Sequence, residues 1–180
     1  VADTVRETSK QAIDELHQLG VTTIMLTGDN QHTAKAIGKQ VGVDEIMGNL
    51  LPEDKLKIID SRLKKDPNVK VGMVGDGIND APALARASIG FAMGAAGTDT
   101  AIETADVALM DDDLRKIATF IRLSKSTALI LTQNIVLALG IKAIFLVLTF
   151  TGQATMWMAV FADMGASLLV VANGLRLLRS

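Results

Sequence analysis

Apolar positions in the stretch DTVRETSKQAIDELHQLG fall at Val5, Ala12, Ile13, Leu16 and Leu19, a spacing that predicts an amphipathic helix ended by Gly20. The pattern then changes. VTTIMLT is β-branched and apolar throughout, as a buried strand is, and runs directly into the turn residues GDN. HTAKAIGKQVG and LPEDKLKIIDSRLKK return to helical spacing, the second with Pro52 in its first turn, and VKVGMVG reads as another buried strand. SIGFAMG and ADVALM predict two short strands, separated by a helical piece over Thr98 to Thr104. Strands alternating with helices in this way imply an α/β head, Rossmann-like in outline, with a mostly parallel sheet. The triple acid at Asp111, Asp112 and Asp113 precedes the helical LRKIATFIRLSKS, so Asp112 or Asp113 is expected to cap that helix rather than to bind metal.

Beyond Lys125 the periodicity gives way to two long apolar runs. Ala128 to Phe150 holds 23 residues with the single charge Lys142, and Ala154 to Leu175 holds 22 with the single charge Asp163. Each is long enough to cross a hydrocarbon core of about 30 Å as a helix. The short uncharged connection TGQAT makes them a hairpin, giving a division into residues 1–125 and 126–180 with spans near 128–150 and 154–176. Lys142 lies 10 residues before Gly152 and Asp163 lies 11 after it, so both fall about 15 to 17 Å from the turn, near mid-bilayer. An ion pair across the hairpin is therefore possible. A lone charge at that depth costs about 2.5 to 3.5 kcal/mol on insertion scales, and together the two offset much of that cost. Asn134 lies about 80° around the same helix from Lys142 and can line the same wide face.

Charge follows the same division. Residues 126–180 carry Lys142, Arg176 and Arg179 against Asp163, a net +2, which leaves the first 125 residues at −4. Arg115, Lys116, Arg122 and Lys125 precede the hairpin and Arg176 and Arg179 follow it, so the head and both hairpin ends are expected in the cytoplasm, with Trp157 near the outer interface. This describes an integral protein of the plasma (inner) membrane in contact with lipid. With a mildly acidic head, no basic stripe and no tyrosine, nucleic acid is not an expected partner. The chain has no cysteine, hence no disulfide framework and no thiolate metal site. His17 is expected at the surface of its helix, and His32, just past TGDN, near the site at most.

Three segments of the head suggest phosphoryl chemistry. In TIMLTGDN the Thr27 hydroxyl and the amides of Gly28 and Asp29 follow a strand's carboxyl end, where they can donate to phosphate oxygens. Lys55 in PEDK stands at a helix start, where an ammonium can neutralise transferring charge. VGDGINDAPA brings Asp76, Asn79 and Asp80 together around Gly75 and Gly77, hard oxygen ligands that suit Mg2+ bridging to phosphate. The ordered set makes a phosphate site the best explanation.

At these residues the chain resembles the P-type ATPases, whose phosphorylation domain is haloacid dehalogenase-like. DTVR at 3–6, MLTGDN at 25–30, LLPEDK at 50–55 and MVGDGINDAPALA at 73–85 match that family's ordered signatures. The resemblance implies that Thr27 and Lys55 contact an aspartyl phosphate formed from ATP, with Gly28 beside them. It implies further that Asp76 binds Mg2+, that Asn79 and Asp80 support that site, Asp80 with its carboxylate toward the metal, and that Asp29 serves it less directly. NIVLALGIK together with DMG at 163–165 resembles the zinc, cadmium and lead exporters of the heavy-metal branch. There the matching Asp163 is a ligand of the transported cation and Lys142 its counter-ion, with Asn134 a further candidate. The family's Asp-Lys-Thr-Gly-Thr, Cys-Pro-Cys and Thr-Gly-Glu motifs do not occur in these 180 residues. The expectation is thus the carboxyl-terminal part of a pump: a partial phosphorylation domain and the last two membrane helices, inactive without the upstream remainder. The competing readings are a membrane-anchored binding or regulatory module derived from such a pump, and a phosphatase head tethered by the hairpin.

Overall fold

A computed structural model of the chain describes residues 5–75, 78–94, 99–153 and 155–179. It forms two compact units, Val1–Ala118 and Thr119–Ser180.

The first unit opens with α1 (Glu7–Gln18), which buries Ala12 and Leu16 on one face, as their spacing requires. β1 (Ile24–Leu26) leads to α2 (Gln31–Val41), capped by Asn30, whose side chain accepts from the Thr33 N–H at 2.9 Å, and ended by Gly42. β2 (Glu45–Met47) pairs with β1 in parallel, Met25 opposite Ile46. α3 (Pro52–Lys65) follows, with proline in its first turn and the Asp54 carboxylate accepting from the Leu51 N–H at 3.1 Å. β3 (Gly72–Gly75), a single 3-10 turn at Ile78–Asp80, α4 (Ala81–Arg86), β4 (Ile89–Met93), α5 (Asp99–Thr104) and β5 (Val107–Leu109) complete the unit. Its second sheet has the order β3-β4-β5, again all parallel, with Val74 opposite Phe91 and Phe91 opposite Val107.

The core joins α3 and α4 to the second sheet through Ile59, Met73, Ala83, Leu84 and Ala92. Leu84 is 1% exposed, so its truncation to alanine removes about 2 to 5 kcal/mol.

The strand expectations change here. The strands VTTIMLT and VKVGMVG were expected to be buried, but β1 is only half-buried and β3 alternates, with Val74 36% exposed. The reason is topological. The parallel ladder falls into two separate sheets, so β1 pairs only with β2 and β3 only with β4 among the described residues. β2 and α4 escape the sequence pattern because each is short, three residues and six, the second with Pro82 in its first turn.

In the second unit the expected connecting helix and first span are one element. α6 (Arg115–Phe150) runs 36 residues without a break, about 54 Å. The acidic triplet caps it as expected, Asp113 accepting from the Arg115 N–H at 3.0 Å. Gly152, at φ 70, makes the turn, where its N–H donates to the Thr149 carbonyl and that of Gln153 to the Leu148 carbonyl. α7 (Met156–Gly174) starts from Thr155, whose hydroxyl accepts from the Met158 N–H at 3.3 Å, and closes in a 3-10 turn at Leu175–Arg179. Hydroxyls inside the apolar helices bond back one turn, Thr132 to the Ala128 carbonyl and Ser167 to that of Asp163, so they leave no donor facing hydrocarbon. Both helices are long and apolar enough to cross a membrane.

Candidate functional site

In the first unit the carboxyl ends of β1 and β3 and the start of α3 carry the candidate residues. Thr27 continues the β1 ladder, its N–H donating to the Met47 carbonyl at 3.0 Å and its carbonyl accepting from the Leu50 N–H at 3.1 Å. Its hydroxyl donates to Asp29 Oδ2 at 3.0 Å and accepts from the Asp29 N–H at 3.1 Å, so Asp29 orients the Thr27 side chain. Gly28, Asp29 and Asn30 are exposed. The loop that delivers α3 is laced to this turn: the Asn49 N–H donates to the Asp29 carbonyl at 2.6 Å. Gln31 makes the second tie, its Nε2 donating to the Ile46 carbonyl at 3.2 Å and its Oε1 accepting from the Gly48 N–H at 2.5 Å. Sequence reasoning passed over Gln31, since a glutamine at a helix start is ordinary in itself.

Lys55 therefore arrives in the first turn of α3, against the positive end of the helix dipole, where a cation is disfavoured. Asp80 offsets this. Lys55 Nζ donates to Asp80 Oδ1 at 2.7 Å, with the two side chains 16% and 12% exposed. Gly75 makes the approach possible, because a Cβ there would lie 2.6 Å from the Asp80 Cβ. Asn79, on the same 3-10 turn, is exposed, whereas Asp80 is 8% exposed. Asp76 lies outside the described residues. Beside Lys55, the N–H of Leu51 and then Lys57 hold the Asp54 carboxyl below its ordinary range.

The histidines differ from each other. His32 is exposed. His17, expected at the surface, is half-buried and engaged: its Nε2 lies 3.0 Å from both the Thr23 hydroxyl and Asp44 Oδ2. Asp44 also accepts from the Thr23 N–H at 2.7 Å and the Thr23 hydroxyl at 2.9 Å. These two bonds, and then His17, hold its carboxyl below the usual carboxylate value.

In the second unit Lys142 and Asp163 line one recess of about 190 Å³ with Ile141, Phe145, Ala159 and Ala162. The two charges share the recess without a direct ion pair within 4.0 Å, so the pairing that the sequence allows is not made here. Asn134 does not join them. It accepts from Asn173 Nδ2 at 2.9 Å, in a separate polar group with Gln133 and Arg176 beside a hollow of about 490 Å³. Sequence reasoning missed Asn173 and Gln133. The signal was their placement within otherwise apolar helices, Gln133 beside Asn134 on α6 and Asn173 on α7.

Residues 1–88 match the family described as haloacid dehalogenase-like hydrolase. The chain is 61% identical to a probable cadmium-transporting ATPase of Listeria monocytogenes over 99% of its own length and 25% of that protein. It is 51% identical to a cadmium, zinc and cobalt-transporting ATPase of Bacillus subtilis (strain 168), covering 99% of this chain and 26% of the other. A crystal structure of a zinc-transporting PIB-type ATPase in the E2.Pi state superposes with a TM-score of 0.89 at 49% identity, over 98% of this chain and 28% of that one. The chain thus spans about a quarter of the length of the relatives it matches. Its first unit is haloacid dehalogenase-like, with parallel strands, and two long apolar helices follow. By sequence and fold together, the chain is similar to a part of the cadmium- and zinc-transporting ATPases.

Proposed function

We propose that the chain is the carboxyl-terminal part of an ATP-driven exporter of divalent heavy-metal cations, Zn2+, Cd2+ or Pb2+, working through an aspartyl-phosphate intermediate. The observation that carries this reading is the recess shared by Lys142 and Asp163 within an apolar hairpin. Asp163 is the ligand of the cation; the Lys142 ammonium is its counter-ion and competes for the carboxylate when the cation leaves. Both hairpin ends and the head face the cytoplasm, in a plasma (inner) membrane, as the basic residues at those ends suggest.

In the head, the aspartyl nucleophile comes from the upstream remainder of the pump. β1 and β3 each keep an unpaired edge among the described residues, and the Lys55–Asp80 contact draws the residues that follow them together. A strand bearing the nucleophile would find its pairing there and deliver its carboxylate beside Thr27 and Lys55. The Thr27 hydroxyl and the Gly28 amide donate to phosphoryl oxygens, Asp29 holds Thr27, and Lys55 neutralises charge as the phosphoryl group moves to the carboxylate and ADP departs. Asn79 and Asp80, with Asp76, offer hard oxygen donors of the kind Mg2+ takes. Bound there, principally by Asp76 with Asp80, Mg2+ would supply further charge neutralisation at the phosphate.

The test is metal-stimulated ATP hydrolysis by the complete pump carrying Asp163→Ala. Stimulation by Zn2+ or Cd2+ is expected to disappear while the head still accepts phosphate from inorganic phosphate. Stimulation at the unmodified level would remove Asp163 from the transport site.

A further inference from the structure

The hairpin carries a second polar group at the end away from its turn. Asn173 donates from Nδ2 to Asn134 Oδ1 at 2.9 Å and to Gln133 Oε1 at 3.3 Å, and Arg176 Nη1 donates to Asn173 Oδ1 at 3.0 Å. Both the donor and the acceptor of one amide are thus used, and the bonds cross from α7 to α6. The flanking residues are apolar: Ile135, Val136 and Leu137 on one helix, Val170, Val171 and Ala172 on the other.

Apolar helices in lipid gain nothing by hiding their side chains from a solvent that is equally apolar, so packing alone selects register weakly. A slip of one residue moves a helix by about 1.5 Å and turns the interacting face by about 100°. Such a slip would carry Asp163 out of the recess. Asn134 lies eight residues before Lys142 on α6, about 12 Å, and Asn173 lies ten residues after Asp163 on α7, about 15 Å. The recess is therefore bracketed by the Gly152 turn on one side and by the amide group on the other.

We propose that Asn173, clasped to Asn134 and Gln133, is a positioning residue for the transported cation: it fixes the register and rotation of α7 on α6 so that Asp163 faces Lys142. The inference rests on the reading of Asp163 as cation ligand. It assigns Asn134 to the clasp rather than to the cation.

A double-mutant cycle in the complete pump, reconstituted in proteoliposomes, tests it. Hydrolysis is measured against free Zn2+ for the unmodified pump, Asn173→Leu, Asn134→Leu and the double variant. An interhelical hydrogen bond in a bilayer is worth about a threefold change in an equilibrium, so each single variant should raise the half-saturating Zn2+ about three- to tenfold. The double variant should be no worse than the worse single, and the rate at saturating Zn2+ and phosphorylation by inorganic phosphate should hold. A clasp that only stabilised the fold would lower the amount of active pump and leave half-saturation alone, and that result overturns the proposal, as do additive effects of the two variants. Should Asn173→Leu fail to insert, Asn173→Ser enters the same cycle, with the same result expected and the same result against it. An unmodified pump without Zn2+ stimulation would overturn the proposed function, and the clasp with it; stimulation with unaltered half-saturation in the variants overturns the clasp alone.

Discussion

Lys55 shows how one residue ties chemistry to stability. Its ammonium sits where the helix dipole opposes it, and the bond to Asp80 fixes it there, behind the turn that Thr27 opens. Lys55→Ala would strip the cation from the transfer site and leave the mostly buried Asp80 carboxylate without that partner. The pair lies between the surface and the fully buried regimes, so the loss is about 2 to 3 kcal/mol of head stability. Phosphoenzyme formed from ATP by the complete pump should fall at least about a hundredfold. Near-normal phosphoenzyme would mean that Lys55 serves only the fold. The sequence made Lys55 and Asp80 legible as members of one site, because PEDK and GDGIND each follow a strand or start a helix. It could not show that they touch, since 25 positions separate them and only the packing of α3 against α4 closes that distance.

At the scale of elements, periodicity located the long helices well and the three-residue strands poorly. β1 and β5 each occupy about half of the apolar run that predicted them, and β2 has too few residues to show a period at all. What marks β2 is a network of polar side chains. Asp44, one residue before it, joins Thr23 before β1 and His17 in the last turn of α1. The sign of its pH effect follows from the direction of its shift. The folded carboxyl titrates below the ordinary 3.8, so the ionised form favours the fold; the stabilisation is complete above that value and disappears as pH falls through the folded one. Thermal unfolding of the head, followed from about pH 6 to about pH 3, should thus shift downward in the acid limb. Asp44→Asn should flatten that limb and leave the neutral range less stable; an unchanged limb would dissociate Asp44 from acid unfolding. The hairpin was legible from composition alone, because two long apolar runs around a glycine admit few other structures. The clasp was not, since Asn173 and Asn134 are 39 positions apart and no local pattern shows which amides meet.

For the molecule as a whole, the split sheet is the most informative departure from expectation. One mostly parallel sheet was expected, and two parallel ladders were found, in a chain a quarter of the length of its relatives. An unpaired strand edge presents N–H and C=O groups that invite further pairing. Among the described residues β4 has partners on both sides, β3 and β5, whereas β1 and β3 each have one. If a strand carrying the nucleophile pairs with both, the difference should vanish in the complete pump. Hydrogen exchange can decide this. In residues 1–180 alone, the slowest amides of β1 and β3 should exchange well before those of β4, since their openings need break only one ladder. In the complete pump, all three strands should exchange at the rate of global unfolding of the head. Persistently fast exchange at Ile24–Leu26 and Gly72–Gly75 in the complete pump would mean that no strand enters there, and the nucleophile would then have to reach Thr27 and Lys55 on a loop.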